Sequence, residues 1–165
     1  MLILAIILGI LSSFSLPPYN FYYINFITFP TLFLIILNNN SKINFFIGWS
    51  FGFGYFMSNL YWLTNSLTFE EIFKPLIPLV LILLPLILGL FYAISILLFS
   101  FLNSKKNFSS ILLFALILSL VDFLRGNILI SFPWNMIVYS LSKNYESIQI
   151  LSLIGVYSLN LIILT

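Results

Sequence analysis

The chain has 165 residues, 62% of them hydrophobic and 6% charged, with a formal net charge of +2. Soluble domains carry roughly 25% charged residues, so a surface this poor in charge excludes water as the main solvent and points to lipid. The small, scattered charge excludes a nucleic-acid surface; the absence of Cys and His excludes disulfides, thiol or imidazole catalysis and Cys/His metal sites, and four acidic residues make a carboxylate metal cage improbable.

The first apolar segment runs from Leu2 to about Leu16 and ends at Pro17-Pro18. It is short against the roughly 20 residues of a typical span. A cleaved signal peptide is the competing reading. No Lys or Arg precedes the run and no Ala-x-Ala-like site follows it, so a retained helix is expected. The second segment, residues 21–37, contains Pro30, which neighbouring helices tolerate in lipid as a kink, and closes on the Asn38-Asn39-Asn40-Ser41-Lys42 turn.

Residues 43–63 form the third segment, and a polar loop with Glu70, Glu71 and Lys74 follows. The fourth, residues 76–102, would be about 40 Å long at about 1.5 Å per residue. It should tilt, kink near Pro85, or protrude. The Asn103–Asn107 loop carries Lys105 and Lys106. Segment five covers 108–130 and includes Asp122 and Arg125; residues 131–147 are less regular and contain Phe132-Pro133-Trp134; segment six is 148–164.

The expected fold is therefore all-α: one polytopic transmembrane helix bundle of about six spans over residues 1–165, with no cofactor and no metal. With the N-terminus cytoplasmic, the inner loops hold Lys42, Lys105 and Lys106, and the outer side holds Lys74, Arg125, Lys143 and every acidic residue. Counted by Lys and Arg alone this is a tie; a cytoplasmic N-terminus is the orientation adopted. The chain stops at Thr165 directly after an apolar run, without a charged or aromatic anchor, which reads as a truncated or split form.

Few residues offer chemistry. Gly48 and Gly52 are four apart on one helix face, with Gly54 close by, and Tyr55, Asn59 and Trp62 fall near the same face. This is a helix-packing seam or one wall of a lipid cavity. Tyr61-Trp62 suits an interfacial aromatic belt. Asp122 and Arg125, three apart, can meet on one face. They are an ion pair that positions the helix end, or Arg125 holds a headgroup phosphate. Proline removes a backbone donor and disfavours helix at Phe132, so Phe132-Pro133-Trp134-Asn135 should form an interfacial or re-entrant turn. Abundant Ile, Phe and Asn lower the weight of any single such residue.

In combination the motifs say more. Gly48-Trp49-Ser50-Phe51-Gly52-Phe53-Gly54 precedes Leu60-Tyr61-Trp62; then come Asp122-Phe123-Leu124-Arg125-Gly126, Phe132-Pro133-Trp134, Tyr139-Ser140, Gln149 and Gly155-Val156-Tyr157. In that order and spacing, with Pro17-Pro18-Tyr19 as a first outer turn, the chain resembles the amino-terminal membrane part of bacterial apolipoprotein N-acyltransferases. It departs from the family's usual Glu at Asp122, Gly at Ser131 and Gln at Leu141.

The resemblance implies a bacterial inner-membrane protein of lipoprotein maturation. An acyl chain moves from a membrane phospholipid to the amino terminus of a diacylglyceryl-modified lipoprotein by way of a thioester. The family's catalytic Glu, Lys and Cys lie in a nitrilase-like domain, none of them carried over here. The chain by itself is thus expected to be inactive, with a separately encoded catalytic half as one possible partner. The resemblance makes Arg125, Trp134, Asp122 and Tyr139 the candidates for lipid contact. A small multi-pass transporter or a membrane scaffold subunit is the alternative.

Overall fold

A computed structural model describes residues 1–103, 108–129, 133–143 and 145–165. Lys105, Lys106, Ser131, Phe132 and the last residue of segment five, Ile130, lie outside the described residues. Among those described, the structure is all-helical with no strand: α1 Leu2–Ser13, α2 Asn25–Leu37, α3 Ser41–Leu60, α4 Leu63–Ser66, α5 Ile77–Leu102, α6 Phe108–Leu124, α7 Tyr145–Ile154 and α8 Val156–Leu164. Uninterrupted apolar runs become helices because a helix satisfies its backbone polar groups internally, whatever surrounds it.

Among the described residues, two stretches are long and apolar enough to cross a membrane: Glu71–Leu102, where a 3-10 turn leads into α5, and Phe108–Asn127. The stretches Leu2–Ser13 and Tyr22–Leu37 are apolar but shorter. α1 stops at Ser13 rather than near Leu16 because the chain turns there, with the amides of Phe14, Ser15 and Leu16 bonded three residues back. α5 passes through Pro85 as a single helix.

The asparagine turn caps two helices at once. Asn38 and Asn39 donate their side-chain amides to Leu34 and Ile35 carbonyls (2.9 and 2.8 Å) at the end of α2, and Asn40 Oδ1 accepts from the Ile43 amide at the start of α3 (3.0 Å). These are the backbone groups that a helix end leaves without partners. Asn44 then ties the corner together, donating to Ile36 O and Ser100 Oγ, both at 2.8 Å.

α3 is the central element, packed between α5 and α1. On one side Gly48 and Gly52 lie against α5: a Cβ on Gly52 would stand 2.7 Å from Gly89 Cα, and one on Gly48 would stand 2.8 Å from Tyr92 O. Gly54, roughly 240° round from Gly48 at about 100° per residue, faces the other way and lies against Ile6 of α1, while Gly9 of α1 meets the α3 backbone at Phe51 and Tyr55. All three predicted glycines are packing positions, but Gly54 belongs to the α1 contact. Dispersion drives helix association where no hydrophobic effect operates, and backbone-to-backbone approach maximises it. Phe51, Tyr55, Phe56 and Tyr92 fill the space beside these seams as a cluster of ring contacts, with centroids 5.1–6.3 Å apart.

The predicted sixth segment is two helices. Gly155 sits at φ 79°, ψ 162°, outside any helical conformation, and separates α7 from α8. A glycine alone enters that region without strain. Nothing lies within 4 Å of a Cβ built there, so backbone conformation, not crowding, requires glycine at this position.

Candidate functional site

Three stretches converge at one end of the bundle: the turn after α1, the end of α3 with Tyr61 and Trp62, and the irregular segment beginning at Pro133. They enclose an open cavity of about 610 Å³ whose lining includes Ser13, Phe14, Tyr19, Asn59, Trp62, Trp134, Asn135 and Tyr139 and, among the described residues, no Asp, Glu, Lys or Arg. Trp62 and Trp134 stack across it, with centroids 5.5 Å apart and planes at 27°. Phe14 and Tyr19 meet edge to face at 4.9 Å. Asn59 Nδ2 has no hydrogen-bond partner among the described residues. Tyr139 is half-buried; burial pushes its phenol up, so the hydroxyl stays protonated at neutral pH.

Behind the cavity lies the one buried ion pair among the described residues. Arg125 is 1% exposed, and its Nη2 donates to Asp122 Oδ1 at 2.9 Å. Its Nη1 donates to the carbonyl of Trp134 at 3.0 Å, and the guanidinium lies 5.3 Å from the centroid of the Phe56 ring. Asp122 Oδ2 accepts from Asn160 Nδ2 at 3.3 Å, and Asn160 Oδ1 accepts the Val138 amide at 3.0 Å. Tyr55 donates its hydroxyl to Asn135 O at 2.9 Å.

The physical need for these bonds is local. From Pro133 to Met136 the chain is not helical, Asn135 takes φ 59°, and backbone groups there have no helical ladder to join. Tyr55 of α3 and Arg125, just beyond α6, supply partners for the Asn135 and Trp134 carbonyls, and Asn160 of α8 accepts the Val138 amide just beyond the stretch. A π-helical turn at Arg125–Leu129 follows α6 directly.

The sequence-predicted candidates therefore divide. Trp134 and Tyr139 line the cavity; Asp122 and Arg125 do not. The Arg125 guanidinium is buried and bonded to Asp122 and to the Trp134 carbonyl. The Gly126 and Tyr157 motifs come together: Gly126 leaves room for the Tyr157 hydroxyl, which accepts from Asn127 Nδ2 at 2.8 Å, and Phe123 meets the Tyr157 ring edge to face at 5.1 Å. Sequence reasoning passed over Gly9, Gly89 and Asn160. An amide in the apolar run Leu159-Asn160-Leu161 was the available signal, since such groups in lipid-facing helices usually find a partner. Among the described residues no three His, Cys, Asp or Glu side chains gather as a metal site.

Among the described residues, then, the chain is an all-helical bundle with two stretches long and apolar enough to cross a membrane and, at one end, an open cavity lined by aromatic and uncharged polar side chains. Comparison with known proteins gives the family. Residues 8–165 match the model of the apolipoprotein N-acyltransferase N-terminal domain. The chain is 33% identical to the apolipoprotein N-acyltransferases of Rhizobium meliloti, Rhodopseudomonas palustris and Rickettsia prowazekii, covering 93%, 97% and 98% of this chain and 31%, 31% and 32% of theirs. The chain belongs to the apolipoprotein N-acyltransferase family, and it spans about a third of the length of the curated relatives it matches.

Proposed function

We propose that this chain is the membrane-embedded part of an apolipoprotein N-acyltransferase of the bacterial inner membrane, and that its helices bring lipidated substrates to the cavity. The donor is a membrane phospholipid and the acceptor a diacylglyceryl-modified lipoprotein. The single observation that carries this reading is the uncharged cavity of about 610 Å³ walled by Trp62, Trp134 and Tyr139. Its aromatic faces suit acyl chains, and its amide and hydroxyl groups suit ester oxygens. In this arrangement Trp134 and Tyr139 touch lipid, while Asp122 and Arg125 act from behind, through the Trp134 carbonyl. The acyl-carrying thiol comes from outside these residues, because none of the 165 is Cys.

In this reading the apolar segments cross the bilayer six times with the N-terminus in the cytoplasm. The burial of Arg125 favours that orientation. As an internal residue it drops out of the loop count, which leaves Lys42, Lys105 and Lys106 on the inner side against Lys74 and Lys143 outside. Lys74 is moreover paired with Glu71 at 2.5 Å. Alternation then puts the cavity on the outer face, where lipoproteins are modified.

The test is binding of a fluorescent phospholipid to the purified chain in detergent. Trp134→Ala and Tyr139→Ala should each weaken it severalfold. Affinity indifferent to both substitutions would sink the proposal.

A further inference from the structure

We infer that Asn160 and Tyr55 are positioning residues that hold the Pro133–Val138 segment in register and so set the Trp62–Trp134 aromatic wall of the cavity. This rests on the reading above for its functional meaning, but its geometry stands alone.

Trp134 reaches the cavity from a stretch with little internal means of fixing itself. Pro133 has no amide proton, Asn135 takes a left-handed conformation, and the 3-10 turn begins only at Ile137. Trp134 is 47% exposed and Trp62 is 42% exposed. Bonds from other helices hold the stretch. The Tyr55 hydroxyl from α3 donates to Asn135 O, immediately after Trp134, at 2.9 Å. Asn160 from α8 accepts the Val138 amide at 3.0 Å and with its other end donates to Asp122.

Both side chains are 0% exposed, so no water replaces either bond if the side chain is shortened, and the segment must move to find new partners. Asn160 uses both ends of its amide. It thereby couples the turn to the Asp122–Arg125 pair, which itself grips the Trp134 carbonyl. A leucine of similar shape supplies neither bond. An aspartate keeps the acceptor for Val138, and a single proton shared with the Asp122 carboxyl preserves the link to α6.

The experiment reads the tryptophan pair directly, with no lipid substrate added, so it can fail independently of the substrate reading. In a Trp49→Phe background, which leaves Trp62 and Trp134 as the only indoles, the stacked pair should give an exciton couplet in circular dichroism. Tyr55→Phe and Asn160→Leu should each abolish most of that couplet while the protein stays helical, and Asn160→Asp should restore it. Thr28→Val, a change at another buried polar residue that does not touch the segment, should leave it intact. A couplet undiminished in folded Tyr55→Phe and Asn160→Leu overturns the inference. Should Asn160→Leu fail to fold, Tyr55→Phe, which removes one oxygen and no volume, decides alone.

Discussion

Removing Arg125 is the most consequential single change the structure defines. Arg125→Ala deletes the bond to Asp122, the bond to Trp134 O and the contact with the Phe56 ring. It also leaves the Asp122 carboxylate with Asn160 as its remaining described partner. Hydrogen bonds to charged groups contribute about 1.5–3 kcal/mol each, and a desolvated cation–π contact about 2 kcal/mol. These overlap rather than add. Breaking a buried pair from one side costs about 3–5 kcal/mol, mostly through the stranded charge, and this is the loss expected.

The cause can be separated from simple loss of contacts. In a double-mutant cycle, Asp122→Leu combined with Arg125→Met should cost less than the sum of the single changes, with a coupling of about 0.5–3 kcal/mol. Arg125→Lys keeps the charge but lacks the planar fork that reaches two acceptors, and should fall between the wild-type chain and alanine. The assay is reversible unfolding in mild detergent, followed by circular dichroism. A loss for Arg125→Ala of no more than about 0.5 kcal/mol, the size of an ordinary surface change, together with an additive cycle, would refute the reasoning.

Three further outcomes follow from the packing. Gly52→Ala places a methyl 2.7 Å from Gly89 Cα, so α3 and α5 must part, at a cost of about 1–3 kcal/mol visible as a lower unfolding midpoint. Gly155→Ala meets no atoms but forbids the backbone conformation, worth about 1–3 kcal/mol; because α7 packs chiefly on α8, spin labels on these two helices should report an altered angle. A distance distribution unchanged from that of the wild-type chain would contradict this. Thr28→Val should be neutral or stabilising by about 1 kcal/mol, because Thr28 Oγ1 is fully buried with no partner among the described residues; a clear loss of stability would mean that the hydroxyl has one.

Local geometry was readable from the residues. The Asn38–Asn40 turn, the shared face of Gly48 and Gly52, and the meeting of Asp122 with Arg125 all depend on neighbours within four positions, where helix and turn geometry leave little choice. The family was readable too, because it rests on an ordered set of motifs that needs no three-dimensional knowledge. Site geometry was less accessible. Trp62 and Tyr139 are far apart in the chain, and Asn160 carries no motif of its own.

What the sequence by itself determined is the class of fold: so few charges point to lipid, where backbone polar groups must be satisfied internally, and long apolar runs do that as helices. Which faces meet was decided only by the tertiary structure. In a helix that is apolar all round, a side facing lipid and a side facing protein have the same chemistry, so hydrophobic periodicity cannot tell them apart. Hence Gly54 turns to α1 and not α5, Arg125 points inward, and the Gly155 break stays hidden in a continuous greasy run. These outcomes are settled by backbone approach and buried hydrogen bonds between residues distant in the chain.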